Sequence, residues 1–154
     1  MENAIPPSQL ATAADRLPEG FRHLQAEASG EGHRFLDRLA ADWAAGAMRF
    51  DGPGELLLAS YVDGALAGIG GLTLETLLPN ALRMRRFYVR PSYRRTGVGR
   101  RLASALLEHA APVAEVVTLN AQPASFRFWE SLGFVGVTHA GLTHTLRLKS
   151  KSKQ

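Results

Sequence analysis

Four arginines and two glycines crowd one short segment of the chain, YRRTGVGRR, from Tyr93 to Arg101. Gly97 and Gly99 have no Cβ, so a ligand can approach the backbone closely at both positions. Arginine side chains bind the oxygens of phosphate and carboxylate groups through charge-assisted hydrogen bonds. The segment is therefore a candidate anion-binding site. The alternative is an ordinary turn between a strand and a helix, with solvated arginines.

The elements on either side favour the first interpretation. We predict a strand from Leu82 to Val89, stopped by Pro91. After the glycines we expect a helix from about Val98 to Ala110, because its apolar residues share one face. The first N–H groups of a helix lack intrahelical partners and carry partial positive charge, which suits a phosphate. No Gly-Lys-Ser/Thr follows, so the segment is not a nucleotide P-loop, and it lacks the third glycine of a dinucleotide fingerprint.

The remaining elements alternate in type along the chain. The predicted strands are FRHLQAE from Phe21, two strands flanking the Asp63-Gly64 turn, Glu115 to Ala121, and FVGV and THTLRLK near the end. The predicted helices are His33 to Ala45 and a second helix that begins at Pro123 and buries Phe126, Trp129 and Leu132. This order predicts an α+β (layered α/β) fold with a mostly antiparallel sheet and helical crossovers.

Length and composition limit the classes of protein. A chain of 154 residues fits one domain; we expect it at 19–149, with a flexible segment at 1–18 and a charged tail at 150–154. A net charge of +4 favours anionic partners, and the absence of cysteine excludes a disulfide scaffold and a thiol nucleophile. With neither a membrane-length apolar run nor a signal-peptide pattern, we expect a cytoplasmic protein with no membrane partner.

Two segments carry a family resemblance. The pattern Arg94-x-x-Gly97-x-Gly99, preceded by YVRP and followed by an amphipathic helix, resembles the acyl-CoA motif of the GNAT superfamily of N-acetyltransferases. LNAQPASFRFWESLGF, from Leu119 to Phe134, is similar to that family's later strand-helix motif. The resemblance extends over roughly 21–149. It implies helices on both faces of a mixed, mostly antiparallel central sheet, and a strand ending at Val89 that splays from its neighbour to open an acyl-CoA cleft.

The resemblance also implies roles in binding acetyl-CoA. The pantetheine amides would pair with the backbone of Phe87, Tyr88 and Val89. The pyrophosphate would lie on the turn that contains Arg94, Arg95, Thr96, Gly97, Val98, Gly99 and Arg100. Gln122 and Ser125 would contact the pantetheine arm; the alternative for this pair is a helix N-cap and a solvated first turn. No metal is implied.

The implied reaction is direct attack of a neutral amine on the thioester, without an acyl-enzyme. The backbone N–H of Val89 would stabilise the developing oxyanion. Many family members carry a glutamate about six residues before this position, but here the residue is Arg83. Glu75 and Glu55 are candidate bases acting through water, and the histidines His139 and His144 are further candidates. The alternatives are solvated strand-end carboxylates and structural histidines.

Trp129 stands where many relatives have a tyrosine that protonates the leaving thiolate. An indole N–H donates a hydrogen bond but does not deliver a proton at neutral pH. Since a thiol has a pKa near 8.5, the thiolate can leave unassisted, and Trp129 would then be a core aromatic residue.

Three functions stay open at this point. The first is transfer of an acetyl group to an amine of a small molecule or a protein; Arg83 and Arg85 would favour an acceptor that carries a carboxylate or phosphate. The second is a non-catalytic acyl-CoA-binding module, since Arg83 and Trp129 occupy the usual acid-base positions. Nucleic-acid binding is disfavoured, because the arginines cluster at one turn without interleaved aromatic residues. The resemblance allows a homodimer.

Overall fold

The computed structural model describes residues 8–148. In this part of the chain there are seven strands and four α-helices: β1 (Gln9–Thr12), α1 (Phe21–Gly30), α2 (Phe35–Ala45), β2 (Leu56–Val62), β3 (Ala65–Leu74), β4 (Ala81–Val89), α3 (Val98–Ala110), β5 (Val116–Leu119), α4 (Phe126–Ser131), β6 (Val135–His139) and β7 (Leu142–Arg147). Short 3₁₀ turns precede α3 and α4, at Pro91–Tyr93 and Pro123–Ser125. No helix in 8–148 has the length and apolarity needed to cross a membrane.

The strands form one sheet in the order β1-β2-β3-β4-β5-β7-β6. Every neighbouring pair is antiparallel except β4 and β5, which are parallel. These two strands pair only from Ala81↔Val116 to Arg83↔Thr118, whereas β4 continues to Val89. The predicted mixed, mostly antiparallel sheet is confirmed, and its central strands diverge after three residue pairs.

Helices cover both faces of the sheet, as predicted. On one face, α1 and α2 bury an apolar cluster that includes Leu24, Leu36 and Leu39. On the other face, α3 and α4 bury a second cluster, with Leu102 and Leu106 fully enclosed. Two separate cores therefore hold the sheet between them, and the diverging ends of β4 and β5 lie between helices of both layers.

The expected strand at Phe21 is wrong, because this segment is the helix α1. Its buried residues are Phe21, Leu24 and Ala28, spaced by three and four as on a helical face. The local apolar alternation that suggested a strand covers too few residues to outweigh this spacing.

The sheet also begins inside the segment expected to be a flexible lead-in. Residues Gln9–Thr12 pair with β2, from Gln9↔Tyr61 to Thr12↔Leu58. Most of these side chains are exposed, so backbone pairing at a sheet edge, rather than an apolar pattern, makes this segment a strand. Residues 1–7 and the charged tail lie outside the described residues, and the division into one domain with two terminal segments stays a prediction.

A β-bulge in β4 sets the directions of the side chains near the cleft. Ile69 faces Tyr88 and Gly71 faces Arg85, so β4 holds one extra residue there, and Arg86 has a φ of 58°. Opposite the bulge, a Cβ at Gly70 would lie 2.6 Å from the Phe87 ring, which makes glycine necessary.

Candidate active site

A cleft of about 960 Å³ opens where β4 leaves β5. Its walls are the second half of β4, the N-terminus of α3, the segment from Leu119 to Ser125, and the junction between α1 and α2. The predicted cleft between splayed strands is thus present, and it connects the two helical layers.

The N-terminus of α3 forms one end of the cleft. Gly97 is its N-cap residue, with a φ of 92° and no side-chain cap. The first helical bond is donated by the Arg101 N–H to the Gly97 carbonyl at 3.0 Å, so the N–H groups of the three residues between them lack intrahelical acceptors. A Cβ at Gly97 would have no neighbour within 4 Å. This end of the cleft is an open, uncapped helix terminus and fits a phosphate group.

The arginines of this turn divide into two kinds. Arg95 and Arg100 line the cleft, and Arg100 donates to the Ser131 hydroxyl at 2.9 Å. Arg94 also borders the cleft, but both its Nη atoms donate to Glu31, at 2.9 and 2.7 Å, and its Nε donates to the Val89 carbonyl at 2.9 Å. Because its charge is compensated, Arg94 positions the turn, and Arg95 and Arg100 are the arginines available to an anion.

Glu31, at the end of α1, joins the turn to the opposite wall. It accepts hydrogen bonds from Arg94 and, at 2.6 Å, from the Tyr88 hydroxyl. Those bonds hold the pKa of Glu31 below its usual range. Burial and the bond to Glu31 raise the pKa of Tyr88, so this phenol stays protonated near neutral pH. Arg90 and Glu27 form a second such pair, at 2.9 and 3.2 Å.

Two of the expected cofactor residues contribute no side chain to the cleft. The Thr96 hydroxyl donates to the Tyr93 carbonyl, and Val98 is buried beside Val62 and Ala67. Only their backbone groups could face a ligand. Gln122 and Ser125 do line the cleft; the Ser125 hydroxyl donates to the Gln122 carbonyl at 2.9 Å and makes no bond to a helix N–H.

The backbone of Val89 points into the cleft. The neighbouring Arg90 N–H donates to the Ala67 carbonyl of β3 at 2.9 Å. Since hydrogen-bonded and non-hydrogen-bonded pairs alternate along an antiparallel ladder, the N–H and C=O of Val89, which faces Gly68, point away from β3. They point towards the part of the β4 edge that is not paired with β5. An N–H at this place suits a donor to an oxyanion.

Glu75 is not among the residues that line the cleft. Its carboxylate is buried and accepts bonds from Arg83 Nε at 2.9 Å, from the Leu77 N–H at 2.8 Å and from the Thr118 hydroxyl. Burial opposes ionisation, but these donors together hold the pKa of Glu75 below its usual range. A carboxylate held in this way is a poor base, and its position supports a structural role.

Replacing Glu75 with glutamine should lower the free energy of unfolding by about 2 kcal/mol at pH 7, because a buried charge-assisted network loses its acceptor. Since the folded-state pKa is depressed, the carboxylate stabilises the fold above its ordinary pKa of about 4.3 and loses this contribution as the pH falls further. Urea unfolding at several pH values should show the two proteins converging in acid. The control is Glu55→Gln, since the Glu55 carboxylate accepts hydrogen bonds from the Gly52 and Leu74 N–H groups outside this network. Equal stability of Glu75→Gln and wild type at pH 7 would contradict the network.

The other predicted bases also lie elsewhere. Glu55 and His139 are not among the cleft-lining residues, and the His139 ring contacts the Ala140 carbonyl. His144 is buried and bonds Glu130 at 2.9 Å and the Thr143 hydroxyl at 3.0 Å. The structural alternative for His144 is therefore the better supported one.

One titratable residue that the sequence did not indicate borders the cleft. Of the described residues that line it, none is an aspartate or glutamate, and the one histidine is His33. It lies between α1 and α2, where its backbone N–H donates to the Ala28 carbonyl at 2.9 Å. Its ring is 5.4 Å from the Phe35 ring and 6.3 Å from the Tyr88 ring. In the sequence it stands within a glycine-rich turn, and only the packing of the helical hairpin on β4 brings it to the cleft.

Trp129 both packs in the core and borders the cleft. It is buried, and its ring meets those of Phe87, Phe128 and Phe134 edge to face, at 4.8, 4.8 and 5.5 Å. This packing supports the core-aromatic alternative. The other two residues expected to be buried in this helix, Phe126 and Leu132, are half-buried.

The sequence matches the acetyltransferase (GNAT) domain family over residues 20–148, and the chain belongs to this family. No curated protein gave a significant match. Among solved structures, a protein from Exiguobacterium sp. 255-15 assigned as an acetyltransferase is 23% identical, with 92% of this chain and 93% of that chain covered and a TM-score of 0.84.

Two further similar structures contain the cofactor. YncA from Salmonella typhimurium, solved with acetyl-CoA, is 19% identical over 95% of this chain and 96% of its own, with a TM-score of 0.65. YhbS from Escherichia coli, a GNAT-family N-acetyltransferase in complex with CoA, is 16% identical over 97% and 85%, with a TM-score of 0.68. At these identities the likeness concerns the fold.

Proposed function

We propose that the protein is an N-acetyltransferase that transfers an acetyl group from acetyl-CoA to a primary amine. The observation that carries the proposal is that one cleft contains both an uncapped helix N-terminus and the inward-facing backbone of Val89. The first feature suits the phosphates of a CoA thioester, and the second suits the oxygen of its reacting carbonyl. Membership of the GNAT family supports the same activity.

The chain's own groups fit acetyl-CoA along the length of the cleft. At the α3 end, the free N–H groups of Val98, Gly99 and Arg100 would hold the pyrophosphate, with charge from Arg95. The exposed backbone edge of β4 at Phe87 would pair with the pantetheine amides, because the Val89 carbonyl already accepts from Arg94 and its N–H is left for the reacting carbonyl. Gln122 and Ser125 border the same arm of the cleft.

The reaction needs a proton acceptor and an oxyanion donor. The amine nitrogen attacks the thioester carbon, a C–N bond forms, the C–S bond breaks, and CoA leaves as the thiolate. The Val89 N–H would donate to the carbonyl oxygen as negative charge develops. An alkylamine with a pKa of about 10.4 is neutral only about once in 10³ at pH 7, so His33 would take its first proton and pass it to solvent. The second N–H proton, lost as the amide forms, goes through solvent to the thiolate. Trp129 would exclude water around the departing sulfur.

Acetyl-CoA should stabilise the folded protein. A ligand that binds only the native state adds about 2.7 kcal/mol at a hundredfold excess over its Kd, so the Tm should rise with ligand concentration. Dephospho-CoA should raise it less. Thermal unfolding with each ligand measures both effects, and an unchanged Tm at millimolar acetyl-CoA would remove the basis of the proposed function.

A non-catalytic acyl-CoA-binding module is the second candidate, favoured by the arrangement around Glu75 and Arg83, which pair with each other instead of presenting a free base. Release of CoA thiol with a panel of amines separates the two functions: a module would bind acetyl-CoA without amine-dependent release. A cytoplasmic location, a homodimer, and the lack of a metal or nucleic-acid partner stay predictions.

A further inference from the structure

Three arginines lie at the end of the cleft that is away from α3. Arg85 and Arg86 belong to β4, with Arg85 just before the bulge and Arg86 in it, and Arg38 belongs to α2; all three line the cleft. Arg85 and Arg86 are half-buried, and Arg38 is exposed at the rim. The turn before α3 places the same number of arginines on the cleft wall, but one of them, Arg94, is paired with Glu31.

The two arginines of β4 are incompletely bonded. The Nε atoms of both are buried and have no hydrogen-bond partner within 8–148. Arg86 has a long contact of 3.5 Å between Nη2 and Asp42 Oδ2, and its side chain is only 11% exposed. A buried donor without an acceptor destabilises the fold. A ligand that brought an acceptor to this pair would remove the cost.

The surrounding charges leave this end of the cleft positive. Arg83 is neutralised by Glu75, and Asp42 is the one carboxylate in contact with the arginine pair in the described residues. Burial, and then the repulsion between neighbouring guanidinium groups, lowers the pKa of Arg85 and Arg86. Both nevertheless remain charged at neutral pH, because arginine is protonated in proteins. An anion bound here would accept hydrogen bonds from the unpaired guanidinium Nε–H groups and would compensate the excess positive charge.

We propose that Arg85 and Arg86, with Arg38 at the rim, bind a carboxylate or phosphate group of the acceptor, which is therefore a small amine that carries an anionic group. This inference rests on the proposed function. Val89 follows Arg86 by three residues, which is roughly 10 Å along a strand. A long arginine side chain and a short aminoalkyl acid can together span that distance, so the amine would reach the carbonyl above Val89.

The test compares acceptors in matched pairs. Amino acids are compared with their primary amides for the carboxylate, and O-phosphoethanolamine is compared with ethanolamine for the phosphate. CoA release gives kcat/KM for each member. We expect a preference of about 10-fold or more for the anionic member of at least one pair, since a charge-assisted hydrogen bond contributes about 1.5–3 kcal/mol. The pair with the larger preference identifies the anion.

The double variant Arg85→Gln, Arg86→Gln should reduce this preference to about one by raising KM for the anionic acceptor alone. Its Kd for acetyl-CoA should stay unchanged. Arg147→Gln, which changes an exposed arginine of β7 outside the cleft, is the matched control. Arg85→Met gives a reading independent of turnover: because it removes an unsatisfied buried donor, the Tm of the free protein should be unchanged or higher.

The results separate the two proposals. If acetyl-CoA does not bind, the proposed function fails. If it binds and neutral acceptors react as well as anionic ones, only the anion subsite fails. Should no acceptor react, calorimetric titration of each pair into CoA-saturated protein decides the matter, and equal binding of anionic and neutral members overturns the subsite.

Discussion

A valine at position 99 is expected to weaken acetyl-CoA binding by about 10²-fold or more while the protein stays folded. The added side chain would enter the gap between β4 and α4, where a Cβ would already contact Val89 Cγ2 at 3.4 Å and the Phe128 ring at 3.5 Å. It would cover the N–H groups of the first turn of α3. Losing two charge-assisted hydrogen bonds of about 1.5–3 kcal/mol each gives this range. Isothermal titration measures it.

Gly97→Val should also impair binding, for a different reason. A Cβ there meets no neighbour, but the φ of 92° is unfavourable for a β-branched residue. Gly46→Val is the matched control, because Gly46 has a φ of 73°, open surroundings and a position outside the cleft. Unchanged acetyl-CoA affinity in both Gly97→Val and Gly99→Val would contradict the proposal that this turn binds the pyrophosphate.

Replacing His33 with glutamine should lower kcat by about 10²- to 10⁴-fold, the usual contribution of a positioned general base. Glutamine keeps polarity and approximate size but cannot accept a proton at neutral pH. The Kd for acetyl-CoA should change little, because Glu31 and not His33 makes the bonds to Arg94 in the turn before α3. Steady-state kinetics at saturating acetyl-CoA, with calorimetry for the Kd, measures both quantities.

Two controls separate proton transfer from packing, since the His33 ring also lies near Phe35 and Tyr88. His23→Gln changes an exposed histidine of α1 that does not line the cleft and should retain full kcat. His33→Ala should regain part of its activity when imidazole is added. A His33→Gln enzyme with wild-type kcat would show that the amine loses its proton to solvent or to another group.

The elements predicted correctly from the sequence are those with a sustained local pattern. The helix from Val98 to Ala110 matched to the residue, because its apolar face and its glycine N-cap are both local signals. The turn at Asp63-Gly64 was equally clear, and both residues have positive φ. The two elements that failed did so for different reasons: β1 exists because β2 pairs with it, and α1 carries only three buried residues, which give a weak local pattern.

The same division applies to the candidate site. The binding turn is contiguous in sequence and was found from its arginines and glycines. The partner of Arg94 was not found, because Glu31 is 63 positions away. Of the donors to Glu75, which lies outside this turn, Arg83 is eight positions away and Thr118 is 43 positions away. His33 was missed because nothing within its own segment distinguishes it from a polar residue of a turn.

Glu31 connects parts of the cleft wall that belong to different elements. Through Arg94 it holds the turn before α3 and the carbonyl of Val89, through Tyr88 it holds the end of β4, and His33 follows it by two residues. The groups expected to hold the donor are thus bonded to a single carboxylate, which lies two residues before the group expected to deprotonate the acceptor. The end of β4, the turn before α3 and the α1–α2 junction are consequently held together by the protein itself, without a bound ligand.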